Sequence, residues 1–118
     1  AALVQAKQFD NAVSLLVQIV AAAPENYTAH ANLAVALFQL KRYPEAKREY
    51  YWIVARQPDT AVAYFFLGII HDQLKEYPDA MANYQAFLKI ADPELSKVEI
   101  EKVKLRLPIL QKQLKNRR

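Results

Sequence analysis

The sequence lacks the residues on which most catalytic and metal-binding sites depend. Its 118 residues include no cysteine, one glycine and two histidines. The absence of cysteine excludes disulfides and thiolate metal sites, and a single glycine excludes a glycine-rich phosphate loop. No apolar run reaches the ~18 residues that a membrane-spanning helix needs, and no secretory signal is visible. We therefore expect no enzyme, no cofactor and no metal, and we favour the cytoplasm as the compartment.

What the sequence does contain is a motif that recurs at a fixed spacing. The stretch QLKRYPEA at 39–46 returns as QLKEYPDA at 73–80, and QAKQFDNA at 5–12 is a weaker copy at the same spacing before them. The period is thus about 34 residues, and self-similarity at such a period is typical of repeat proteins. Each unit of a repeat protein buries its apolar face against its neighbours. The fold is therefore interpreted repeat by repeat.

Helical periodicity and proline positions divide each repeat into two helices. Pro24 and Pro58 follow apolar helical runs that they cannot continue, whereas Pro44 and Pro78 suit the first turn of a new helix. The pattern predicts a half helix at about 1–7 and then helices at about 10–22, 27–40, 44–56, 60–74 and 78–91. Each unit is thus predicted to be an antiparallel helix-turn-helix.

Small residues recur where the two helices of a unit should cross. Ala34 and Gly68 lie in the first helices, and Ala46 and Ala80 lie in the second helices. Because glycine in a helix costs about 1 kcal/mol relative to alanine, Gly68 is predicted to mark a tight crossing. Larger residues at the same period are predicted to form the core: Leu33/Leu67, Tyr43/Tyr77, Tyr50/Tyr84 and Ile53/Phe87.

The chain resembles the tetratricopeptide repeat family in its period, its small residues, its aromatics and Pro58, the proline that follows the second helix of a repeat. The resemblance implies an all-α, right-handed helical-repeat solenoid of about two and a half repeats: a partial repeat at 1–26 and repeats at 27–60 and 61–94. The first repeat lacks most of its opening helix, and the chain does not begin with Met. We therefore expect the chain to be part of a longer protein.

Residues 95–118 are predicted to form a basic C-terminal capping helix. The stretch SKVE at 96–99 fits a capping box, and an apolar stripe follows at Ile100, Val103, Leu107, Leu110 and Leu114. Pro108 removes a helical hydrogen bond, so we expect a kink near 108 or two helices meeting at 107/108. The stripe either packs on the last repeat or forms a seam for a second chain.

The charge of the chain is unevenly divided. Residues 1–94 carry 8 Lys/Arg and 10 Asp/Glu, whereas residues 95–118 carry 8 and 2, a net charge of +6. A basic helix can bind nucleic acid or an anionic membrane, but it is more often a solvated helix end. An adaptor role through this helix is therefore the second-ranked function, and nucleic acid and membranes are disfavoured partners.

The first-ranked function is a protein–protein interaction scaffold. The resemblance implies that the first helix of each repeat lines a concave groove, here mainly apolar, which would bind a peptide or an amphipathic helix of a partner and could also support self-association. His30 and His71 occupy positions of packed aromatics, so we assign them no catalytic role. The predicted groove residues are Asn32, Val35, Phe38, Gln39, Val62, Phe65, Phe66, Ile69, Asp72 and Gln73.

Overall fold

The computed structural model describes residues 2–116, and the side chains of residues 5–116. Within that range the chain is all-α, without a strand. The helices are α1 (Ala2–Ala22), α2 (Tyr27–Gln39), α3 (Tyr43–Arg56), α4 (Ala61–Gln73), α5 (Tyr77–Ile90) and α6 (Lys97–Asn116). Arg117 and Arg118, which belong to the predicted basic helix, lie outside the described residues.

The helices form two compact units. Unit 1 is Ala1–Arg56, in which α2 packs against α1 and α3, and unit 2 is Gln57–Arg118, in which α5 packs against α4 and α6. The terminal helix therefore shares a unit with the last complete repeat. The four helices from α2 to α5 agree with their predicted bounds to within one residue at each end.

The recurring stretch encodes the turn between the two helices of a unit. At Lys41 and Lys75 the backbone is left-handed, with φ of 59° and 61°. The N–H of Arg42 donates to the carbonyl of Leu37 at 2.9 Å, and the next copy of the motif makes the equivalent bond. This six-to-one bond is the Schellman motif, which ends a helix at a left-handed residue. The motif is repeated because each unit needs the same turn.

The small residues lie at the helix crossings, as predicted. Ala46 in α3 and Ala80 in α5 are completely buried. A Cβ atom added to Gly68 would come within 2.5 Å of Tyr84 Cδ1, so only glycine lets the Tyr84 ring rest on α4. The tight crossing predicted at Gly68 is confirmed.

The apolar stripe predicted on α6 faces the interior of unit 2. Val103 and Leu110 are buried in a core with Phe65 and Phe87, and Ile100 is partly buried against it. These contacts support packing on the last repeat, the first of the two alternatives for this stripe.

Two local predictions were wrong, and one of the two alternatives for α6 is excluded. α1 is one continuous helix, without the break predicted between residues 7 and 10. Proline would provide that break, but Asp10 stands where Pro44 and Pro78 stand in the later copies. α6 continues through Pro108, which excludes two separate helices, and a kink there stays a prediction.

The second wrong prediction is the capping box at 96–99. The N–H of Ser96 already donates to the carbonyl of Asp92 at 2.9 Å, so it is not available to the Glu99 side chain, as a capping box requires. The carboxylate of Asp92 accepts from the N–H groups of Glu94 at 2.8 Å and Leu95 at 3.0 Å. These bonds lower the pKa of Asp92 below its ordinary value, and they make Asp92 the residue that starts this segment.

Candidate binding faces

The predicted groove residues of unit 1 share one side of α2. Asn32, Val35 and Gln39 follow at steps of three and four residues and are exposed, while Phe38 beside them is half-buried. Val35 exposes 47% of its surface, which is high for an apolar residue in a helix that packs on two others. We call these four residues the first-helix face of unit 1.

In unit 2 the corresponding side of α4 is formed by Val62, Phe66, Ile69 and Gln73, which we call the first-helix face of unit 2. Val62 is 52% exposed, Gln73 is exposed, and the two larger apolar residues are half-buried. Phe65, which was also predicted to line the groove, is instead buried in the core of unit 2. Val103 of α6 lies in the same core.

A pocket of about 240 Å³ opens beside this face, between α4, α5 and α6. Its walls combine apolar side chains with charged groups from two helices. The lining residues are Phe65, Ile69, Asp72, Gln73, Tyr84, Lys102, Val103 and Arg106. The pocket is large enough for an apolar side chain of a partner, next to groups that can donate and accept hydrogen bonds.

Asp72, the remaining predicted groove residue, forms a forked ion pair with α6. Arg106 Nε donates to one carboxylate oxygen and Nη2 to the other, both at 2.7 Å, and Tyr84 Oη donates to the first at 3.2 Å. Hydrogen bonding to Asp72 raises the pKa of Arg106 above its ordinary value. Burial, and then the Asp72 charge, raise the pKa of Tyr84 well above its usual range. The Asp72 carboxylate is therefore engaged in structure.

The two histidines are also held in structural contacts. His30 is buried, stacks on Trp52 with ring centroids 3.7 Å apart, and bonds to Glu49 through Nδ1 and to the Pro24 carbonyl through Nε2, both at 2.7 Å. Because a carbonyl oxygen only accepts, Nε2 is the donor in its bond. His71 is buried, and its Nδ1 bonds to Glu76 at 2.8 Å. Both rings fill the aromatic positions to which the sequence assigned them.

The structure also exposes an apolar surface that sequence reasoning missed. Val98, Leu105 and Ile109 lie on the side of α6 away from the core and are exposed. We call these three residues the outer stripe of α6. The inward stripe has more apolar residues and dominates the helical periodicity of α6. Comparison with α2 and α4 at the repeat period would have found the second one.

Two further findings concern the described residues as a whole. Among residues 2–116 there is no group of three or more His, Cys, Asp or Glu side chains placed to hold a metal ion. None of the helices α1 to α6 has the length and apolar character needed to span a membrane.

Comparison with known proteins places the repeats in a family. Two family models described as tetratricopeptide repeat match, one over residues 3–64 and one over residues 42–95. No curated protein matches the sequence. Among solved structures, the chain is similar to MamA (residues 41 to the end) from Desulfovibrio magneticus RS-1, with a TM-score of 0.70 and 18% identity over 93% of this chain and 68% of that one. At that identity the likeness shows the fold alone, and the predicted all-α repeat fold is confirmed.

Proposed function

Since the chain belongs to the tetratricopeptide repeat family, whose domains generally mediate protein–protein interaction, we propose that it binds an apolar peptide or an amphipathic helix of a partner protein. Binding would use the first-helix faces, each described within its own unit, which hold residues predicted to line the groove. The proposal is supported mainly by one observation: each first helix exposes a valine, Val35 or Val62, on that side.

The chemistry of these faces favours an apolar ligand over an acidic one. Val62, Phe66 and Ile69 offer methyl and ring surface, whose burial contributes roughly 25 cal/mol per Å² before the costs of association. Gln39 and Gln73 are exposed beside the apolar residues. Their side-chain amides both donate and accept, so they can bond the main chain of a peptide without selecting its side chains. Neither face contains a lysine or arginine.

The proposal is tested with peptides selected from a display library on the intact chain. Val62→Glu and Val35→Glu place a charge among the apolar residues, and each should weaken a selected peptide about tenfold or more, a loss of about 1.4 kcal/mol. Leu15→Glu is the matched control, because Leu15 is an exposed apolar residue on α1 outside both faces. Circular dichroism verifies folding. Unchanged affinity in both valine variants would contradict the proposal.

The alternative through the basic helix makes a different prediction. Binding of duplex DNA or anionic vesicles should fall steeply with salt, because released counterions drive it, whereas binding to an apolar face should respond weakly. A salt titration of the same chain therefore separates the two functions.

A further inference from the structure

α6 repeats the arrangement of α4 one period later. Arg106 stands one repeat period after Asp72, its ion-pair partner on α4. Val103 stands one period after Ile69, and both line the pocket beside the first-helix face of unit 2. α6 thus contains residues at the same repeat positions as the first helix of a helix-turn-helix unit.

In α2 and α4, one side of the helix is covered by the second helix of the same unit. In unit 1, His30 stacks on Trp52 of α3, and Leu37 is 3% exposed. In unit 2, Gly68 lies against Tyr84 of α5. A helix therefore closes this side in both complete repeats.

Within the described residues, the same side of α6 is not covered by another helix. Val98 and Leu105 stand one repeat period after Tyr64 and His71, but they are 63% and 74% exposed. Ile109, one helical turn after Leu105, extends the open side and is also exposed. These are the residues of the outer stripe, and their spacing of seven and four residues suits contact with another helix.

We propose that the outer stripe of α6 is a second docking surface, separate from the first-helix faces, and that it binds an amphipathic helix of a partner protein with acidic residues along its margins. A helix is the occupant because a helix covers the equivalent side of α2 and of α4. The acidic margins follow from charge. Residues 95–118 carry 8 Lys/Arg against 2 Asp/Glu, and the stripe is bordered by Lys102 and Lys112, both exposed.

Lys102 also determines how such a helix is recognised. It stands at the repeat position occupied by Ala34 and Gly68, where the small side chain admits close approach of the covering helix. A lysine at this position prevents the partner helix from approaching as closely. Its ammonium group also favours a carboxylate on the partner helix opposite it. No ion-pair partner of Lys102 is found among residues 5–116.

Charge also argues against the other occupants. A second copy would bring two segments of net charge +6 together, with repulsion between them. A membrane-surface helix needs a broad apolar face, whereas this stripe has three apolar residues. An acidic helix matches both the stripe and its lysines.

The test uses two synthetic helices of about five turns with the same pattern of leucines. At every position that flanks the leucines, one helix carries Glu and the other carries Lys. The Glu helix should bind the full chain, and the Lys helix should not. Leu105→Glu should weaken the Glu helix about tenfold or more, and Lys102→Glu with Lys112→Glu should shift the preference toward the Lys helix. Leu105 is exposed, so the variants should fold, and Leu105→Ala serves as a second, uncharged variant.

Leu15→Glu and Val62→Glu should leave binding of the Glu helix unchanged. Loss in Val62→Glu with retention in Leu105→Glu would place the probe on the first-helix face of unit 2, which would overturn this inference while supporting the proposed function. Equal binding of the two helices would also overturn it. If the Glu helix does not bind, two further results would identify a different occupant and overturn the inference. One is binding of the chain to phosphatidylglycerol vesicles or duplex DNA, and the other is self-association of the chain that Leu105→Glu abolishes.

Discussion

Gly68 is the residue on which the packing of α4 against α5 depends most directly. Gly68→Ala should gain about 1 kcal/mol of helix propensity. It should lose more, because the new methyl group would lie 2.5 Å from the Tyr84 ring. We expect a net destabilisation of about 1–2 kcal/mol, measured by denaturant unfolding. Adding Tyr84→Ala should reduce the penalty of the methyl group. A Gly68→Ala chain at least as stable as the parent would contradict the crossing.

Asp92 provides a pH-dependent contribution to stability. Its pKa is lowered in the folded chain by the bonds from Leu95 and Glu94, so its contribution is present above the unfolded pKa and is lost as the pH falls through the folded one. Asp92→Ala should lower the melting temperature slightly near neutral pH. The difference from the parent should vanish between about pH 5 and pH 2. Asp59→Ala, at another exposed carboxylate, is the control, and a pH-independent difference would refute this role.

At the residue scale, sequence reasoning succeeded where the repeat itself fixes the environment. Gly68 and Ala80 are small because two helices of one repeat approach closely there, and the repeat period identifies these positions in the sequence. The burial of Phe65 was not predicted, because α6 contributes Val103 to the same core. The ion pair between Asp72 and Arg106 was equally hidden, since nothing local to either residue indicates it.

At the scale of the element, the two left-handed lysines are the clearest feature. Lys75 adopts φ of 61°, a conformation that costs a residue with a side chain roughly 1–2 kcal/mol and glycine little. After the entropy that glycine loses on folding, Lys75→Gly should stabilise the chain by about 0.5–1 kcal/mol in thermal unfolding. Lys104→Gly, the same substitution inside α6, should destabilise it by about 1 kcal/mol. Equal signs at the two sites would contradict the turn geometry.

The elements that were predicted well are those with clear signals at their starts. α3 and α5 each have proline near the start, and a left-handed lysine precedes each of them. α1 was misjudged because alignment with the later copies suggested a turn for which Asp10 supplies no proline. The outer stripe of α6 was missed because a helix with two apolar sides gives a periodicity signal dominated by the stronger one.

At the scale of the whole molecule, a repeat period was enough to predict the fold class. Each repeat consists of two helices and the turn between them, so local patterns determine most of the architecture. The binding faces are less predictable, because exposure depends on which helix packs over each position. Of the ten predicted groove residues, Phe65 lies in a core and Asp72 forms an ion pair. The other eight form the two first-helix faces.

The proposed protein-binding function is tested most directly by mapping a selected peptide on the ¹⁵N-labelled chain through its amide chemical shifts. The account predicts that the largest changes fall on the first-helix faces, at Asn32, Val35 and Gln39 in α2 and at Val62, Phe66 and Gln73 in α4, with Leu15 on α1 unaffected. Changes confined to α1 or to the outer stripe of α6, with both first-helix faces silent, would contradict it.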